Sequence, residues 1–193
     1  LPAAQLLLRR MQTADYDGIK SRKLKHKAVA KALNRARNGR ADDLAKADVA
    51  LSKGFADYVK RMRGARRADM IYESEALAPV VPTATAALQA AASAPSLDRY
   101  VETMAWMHPL YAPMRDALGD RAYGERQRIQ LARNLERIRA LPANPGTRYV
   151  LIDAAGARLW MYKDGRVVDS MRVVVGKADQ QTPAMAGFLR YAI

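Results

Sequence analysis

Two histidines, no cysteine, and nine basic side chains without an acid between Lys20 and Arg40 are the features of this 193-residue sequence that bear most directly on chemistry. The absence of cysteine excludes disulfides, thiolate metal sites and a cysteine nucleophile within these residues. His26 and His108 alone are too few for a histidine-based metal centre. A histidine acts as a proton carrier only with a positioned partner, and His108, directly before Pro109, reads as a structural residue at a helix junction. Glu136 lies three residues after Arg133 and three before Arg139, the spacing of a surface ion pair and not of a general acid. Gly176-Lys177 lacks both the glycine-rich approach and the following helix of a phosphate-binding loop. No residue is therefore assigned a catalytic, cofactor-binding or metal-binding role, and no cofactor is expected.

The basic block dominates the electrostatics. The chain carries 33 Lys and Arg against 19 Asp and Glu, a formal charge of +14. Lys20 to Arg40 would attract phosphates or carboxylates over long range, which suits nucleic acid, anionic lipid or a cell-wall surface. The same run also fits a solvated helical face. Aromatic residues do not interleave with these lysines, so platforms for stacking bases are missing.

These residues must be positioned mainly by helices. Leu6, Leu7, Arg10 and Met11 mark an opening helix, and Ala28 to Arg37 a second, with Val29, Ala32 and Leu33 on one side and Asn38-Gly39 as the stop. A long helix follows, capped by Asp42 or Asp43, with Leu44, Ala47, Leu51, Phe55, Tyr58, Val59 and Met62 at three- and four-residue steps and Gly64 at its end. Gly54 inside it marks either a weak point or a close helix contact. Ala65 to Val81 reads as an irregular connector. Helices then follow at Thr83 to Ala92 and from Ser96, which caps a segment carrying Tyr100, Met104 and Met107. After a short pattern at Met114 and Leu118, the last helix runs from about Gly124 to Leu141, with Leu131, Leu135 and Ile138 in one stripe and Arg126, Arg133, Arg137 and Arg139 on the other sides.

Pro142-Ala143-Asn144-Pro145-Gly146 ends that helix, and beyond it the period becomes extended. Strands are expected at Tyr149 to Asp153, Ala157 to Tyr162 and Arg166 to Val175, joined by turns at Ala155-Gly156 and Lys163-Asp164-Gly165. Leu159 and Met161 alternate with Trp160 and Tyr162, which predicts that both faces of the sheet are covered. The fold class is α+β: a helical domain at 1–141, a linker at 142–146, and an incomplete antiparallel sheet at 147–193. No apolar run approaches the ~20 residues of a membrane-spanning helix. Leu1-Pro2 does not start a signal peptide, so any targeting segment is expected outside these residues.

The order of these elements carries a resemblance. RYVLIDAAGARLWMYKDGRVV followed by VVVGKADQQTP resembles the amino-terminal edge of an L,D-transpeptidase catalytic domain. NLERIRALP, ALNRARNG and ALSKGFADYV are similar to the scaffold portion of the large murein L,D-transpeptidases of Gram-negative envelopes. The resemblance implies a periplasmic enzyme whose cysteine thiolate, activated by a histidine, attacks a peptidoglycan stem peptide and forms an acyl-enzyme, which an amine on a neighbouring stem resolves as a cross-link. Backbone donors would stabilise the oxyanion. The family's histidine and Ser-x-Gly-Cys segment have no counterpart here, so His26 and His108 inherit no role. Thr182 and Pro183 match the family's Thr-Pro position and are read as a turn that shapes the sheet.

The expected function is thus part of a murein L,D-transpeptidase, with the nucleophile beyond Ile193 and no activity from this chain alone. Its expected partners are peptidoglycan stem peptides in the intact protein, an anionic envelope surface through Lys20 to Arg40, and further copies of itself through exposed strand edges. The alternative is a basic helical module that binds nucleic acid or another polyanion.

Overall fold

Pro2 opens the first helix, α1 (Pro2–Gln12), at a position where its missing N–H costs nothing. Ala3, Ala4, Leu7 and Met11 recur on its buried side. The computed structural model of the chain describes residues 2–64, 69–177 and 179–190. The seven α-helices among these residues continue with α2 (His26–Arg35) and α3 (Ala41–Arg63). Between α2 and α3 the chain reverses through Gly39, whose φ of +74° is one that glycine adopts without strain.

Asp42 and Asp43 do not cap α3. Arg40 holds the capping position with no side-chain bond, and both aspartates lie in the first turn, where a negative charge suits the helix dipole. Asn38 ties the turn instead: its Oδ1 accepts from the Arg40 N–H at 2.9 Å and its Nδ2 donates to Asp43 at 2.8 Å. Gly54 marks close packing. A Cβ there would meet the Met11 methyl at 2.9 Å and Val29 at 3.3 Å, so α1 and α2 approach α3 where it has no side chain.

Beyond α3, part of the expected connector, at 65–68, lies outside the described residues. Its remainder carries a two-residue strand, β1 (Ile71–Tyr72). Thr83 Oγ1 accepts from the Ala86 N–H to cap α4 (Ala84–Ala92), and Ser96 Oγ accepts from the Arg99 N–H to cap α5 (Leu97–Glu102). The fifth helix is shorter than its apolar pattern suggests. The Thr103 hydroxyl donates back to the Arg99 carbonyl, Met104 adopts φ +49°, and the following turns deliver Met104, Trp106 and Met107 into the core. Trp106 meets the edge of Phe55 at 5.3 Å and also contacts Tyr58 and Tyr100, joining α3 to α5.

The helices α6 (Tyr111–Gly119) and α7 (Glu125–Ile138) close the core with Tyr111, Leu118, Leu135 and Ile138. Arg139 departs from the expected outward placement: it is buried with Leu135 and Ile138.

After residues with neither helix nor strand, β2 (Arg148–Asp153), β3 (Arg158–Lys163) and β4 (Arg166–Arg172) form an antiparallel meander in sequence order. Tyr149 pairs with Tyr162 and Leu151 with Trp160. Met161 opposes Asp169 while Tyr162 opposes Val167, so Val168 is the extra residue of a bulge. The fold is α+β, completed by a parallel pair of β1 with β5 (Met185–Ala186).

Two strand expectations need correction. The third strand stops at Arg172 and not at Val175, and Val174 stands fully in solvent. The sheet is also not covered on both faces. None of its residues is buried, and Val150, Ile152 and Met171 are exposed on the face shared with Leu159 and Met161. Alternation predicts two apolar faces, but the described residues bring a buried ring only to the other one, where His108 meets Tyr149 edge-on at 5.6 Å.

Candidate functional site

The basic block meets solvent along its whole length. Its nine Lys and Arg side chains are all exposed, and among the described residues none of them takes part in an ion pair. Leu24 and Val29 are buried and fix the segment to the core, while α2 packs along α3. Lys27, Lys31 and Arg35 follow at four-residue steps and so share one edge of α2. Ala30, Leu33, Asn34 and Arg37 form the adjoining row. They make one wall of a groove of about 550 Å³, whose opposite side is built by Ala4, Leu8 and Arg9 of α1, with Leu44 of α3 at its rim. Ala and Leu side chains make up most of the groove lining, and Arg9 and Arg37 bring guanidinium groups to it.

A second constellation was not visible in the sequence. Asp17, at the end of a 3-10 turn (Ala14–Asp17), is fully buried and accepts four side-chain hydrogen bonds. Oδ1 accepts from Tyr111 Oη at 3.0 Å and Arg115 Nε at 2.8 Å, and Oδ2 accepts from Tyr58 Oη at 2.6 Å and an Arg115 terminal nitrogen at 3.1 Å. The same Arg115 nitrogen donates to the carbonyls of Arg10 and Thr13 and to the Thr13 hydroxyl. Arg139 donates to the Asp17 carbonyl at 2.9 Å and to the Arg61 carbonyl at 2.6 Å. Arg10, also buried, ion-pairs with the half-exposed Asp116 and donates to the Glu102 carbonyl.

The electrostatics follow from this enclosure. Burial, followed by the Asp17 charge, raises both Tyr58 and Tyr111 well above the usual phenol range, so each remains a donor. Burial works against the charge on Arg115, but the Asp17 carboxylate, through its hydrogen bonds and its charge, holds the guanidinium protonated. The cluster offers no free nucleophile or base. It is a hydrogen-bonded brace between the Ala14–Asp17 turn, α3, α6 and the end of α7.

His108 lies elsewhere and is 2% exposed. Its Nδ1 accepts from the Leu110 N–H at 3.2 Å, so the proton of the neutral ring is on Nε2. Burial lowers its pKa to about 4. Tyr149 covers the ring and stacks on Tyr162 at 4.5 Å between centroids; burial, then Tyr162, pushes Tyr149 up to about 12. His26 is half-buried at the start of α2. Glu136 reaches Arg139 at 4.0 Å. Thr182 Oγ1 accepts from the Gly176 N–H at 2.8 Å and draws the Val-Gly-Lys and Thr-Pro segments into one loop. Glu73, beside β1, accepts from the Phe188 N–H and from Arg190. The structure does not bring His26, His108, Glu136 and Thr182 into a common site.

The Scaffold domain family matches residues 1–118, which take in α1 to α5 and nearly all of α6. The chain belongs to the Scaffold domain family. No characterised protein and no solved structure matches it. The scaffold-domain match contains the whole basic surface and every partner of Asp17 except Arg139. The scaffold-domain core nevertheless extends past residue 118, because Leu135 and Ile138 of α7 are buried in it.

Proposed function

We propose that this scaffold-domain chain belongs to a murein L,D-transpeptidase, as its helical scaffold and the first strands of its catalytic domain. The enzyme would work in the periplasm, cross-linking peptidoglycan stem peptides through a cysteine acyl-enzyme. What carries the reading is an order of parts: a Scaffold-family helical unit, then RALP, then a three-stranded meander that leads into the loop between Gly176 and Thr182.

In that reaction a thiolate attacks the stem-peptide amide carbonyl, the amine leaves, and a second amine takes the acyl group from sulfur. This sequence has no cysteine, so its own residues supply support and not the nucleophile. The Asp17 brace suits that role, because it locks the Ala14–Asp17 turn, α3, α6 and the end of α7 into one body on which a catalytic sheet can be held. Tyr149 at the head of β2, seated on His108, would be one point of attachment.

Two measurements test the reading. The purified 193-residue chain, given peptidoglycan stem peptides, should form no cross-link above a no-protein control, and turnover would refute the assignment of the nucleophile. The reading frame downstream of Ile193 should encode a histidine followed by Ser-x-Gly-Cys. A frame without that segment would overturn the proposal.

A further inference from the structure

We propose that the Lys20 to Arg40 surface and the groove beside it dock this domain onto an anionic phospholipid bilayer. The inference is independent of the transpeptidase reading, since it rests on the geometry of α1, α2 and the start of α3 alone.

Three observations converge. Nine cations stand in solvent on one segment with no ion pair among the described residues, so their charge is available to an external anion. The segment is not a tail, because Leu24 and Val29 anchor it and the cations of α2 form a row on a fixed helix edge. Immediately beside that row lies a groove with a mainly apolar lining: Leu8, Ala30, Leu33 and Leu44, the last 47% exposed, line it together with the polar Gln5 and Asn34.

The juxtaposition selects among anions. A nucleic-acid duplex presents phosphates but no hydrocarbon to fill the groove, and no aromatic side chain lies within the block to stack on a base. A lipid surface presents both chemistries together, phosphates in the headgroup layer and acyl chains just below them. Lys27, Lys31 and Arg35 would sit among the headgroups, while Leu44 and the groove take up apolar surface. Arg9 and Arg37, which line the same groove, would meet the phosphate above it.

The test is cosedimentation of the 193-residue chain with vesicles of phosphatidylcholine, with or without phosphatidylglycerol, and a parallel titration with duplex DNA at the same salt. Binding is expected only with phosphatidylglycerol, and it should weaken as salt rises. Replacing Lys27, Lys31 and Arg35 together by Gln should lower partitioning by about a hundredfold, roughly fivefold for each cation. Leu44→Ser, an exposed position, should lower it by about tenfold while leaving DNA binding unchanged. Circular dichroism on each variant verifies that the helices remain. Equal binding to both vesicle types, no vesicle binding, tighter binding to DNA than to anionic vesicles, or an unaffected Leu44→Ser variant would each overturn the proposal.

Discussion

Asp17 accepts hydrogen bonds from side chains 41, 94 and 98 positions away, and its carbonyl accepts from Arg139, 122 positions away. A buried charge held this way is destabilising as soon as one partner is lost, because the other stays in a medium that solvates it poorly. Asp17→Asn leaves Arg115 without its counterion, and three backbone or hydroxyl acceptors do not replace a carboxylate. The expected loss is about 3–5 kcal/mol of unfolding free energy, measured by urea denaturation. Tyr58→Phe removes one donor and should cost only about 1–2 kcal/mol. Equal effects of the two substitutions would mean that the charge is not what the cluster is built around. Nothing around Asp17 in the sequence signals this role. Its neighbours in ADYDG suggest only a turn, and the partners that define it are assembled by the tertiary fold.

The elements were far more legible, for a physical reason: their determinants are local. The three- and four-residue steps of α3, the Ser96 cap and the Asn38-Gly39 stop are each set within a few residues, and the structure matches them. Departures arise both locally, where Arg40 rather than either aspartate holds the α3 cap, and where a distant contact decides. The apolar run through Met104 and Met107 looks helical, but those side chains reach the core through turns after Glu102. Likewise, Arg139 falls among surface arginines by sequence yet is drawn inward by two carbonyls. Gly54 shows both sides of the matter, since the sequence left weak point and close contact equally open. The structure decides for contact and gives a graded expectation. Alanine gains up to about 1 kcal/mol of helix propensity, and its Cβ meets only the flexible end of Met11 at its nearest point, so Gly54→Ala should lie within about 1 kcal/mol of the parent. Gly54→Leu must push α1 and α2 away and should lose about 1–3 kcal/mol in the same urea titration. A leucine tolerated as well as alanine would show that the three helices do not approach as closely as described.

At the scale of the whole molecule, the question is what joins the sheet to the helices. The helical core is broad and continuous, whereas the sheet meets a buried ring of that core where Tyr149 covers His108. That junction contains a titratable group, so pH reads it out. His108 takes its proton at about 4 in the folded chain against 6.5 for an ordinary histidine, because burial penalises the cation. Between those two values the unfolded chain holds a proton that the folded chain does not, so unfolding takes up protons and acid favours it. The contribution is complete above pH 6.5, declines as the pH falls through the window, and levels off below about 4. Its full size is roughly 3 kcal/mol. Protonation would also cost Nδ1 its bond from the Leu110 N–H, at the point where Tyr149 rests. His108→Gln, which cannot titrate, should therefore have a flatter stability profile than the parent between pH 4 and 6.5, even though carboxylates titrate in both proteins. Urea midpoints measured across that range for the two proteins give the difference directly. Parallel profiles would place the acid sensitivity elsewhere and leave the His108–Tyr149 junction as a packing contact only.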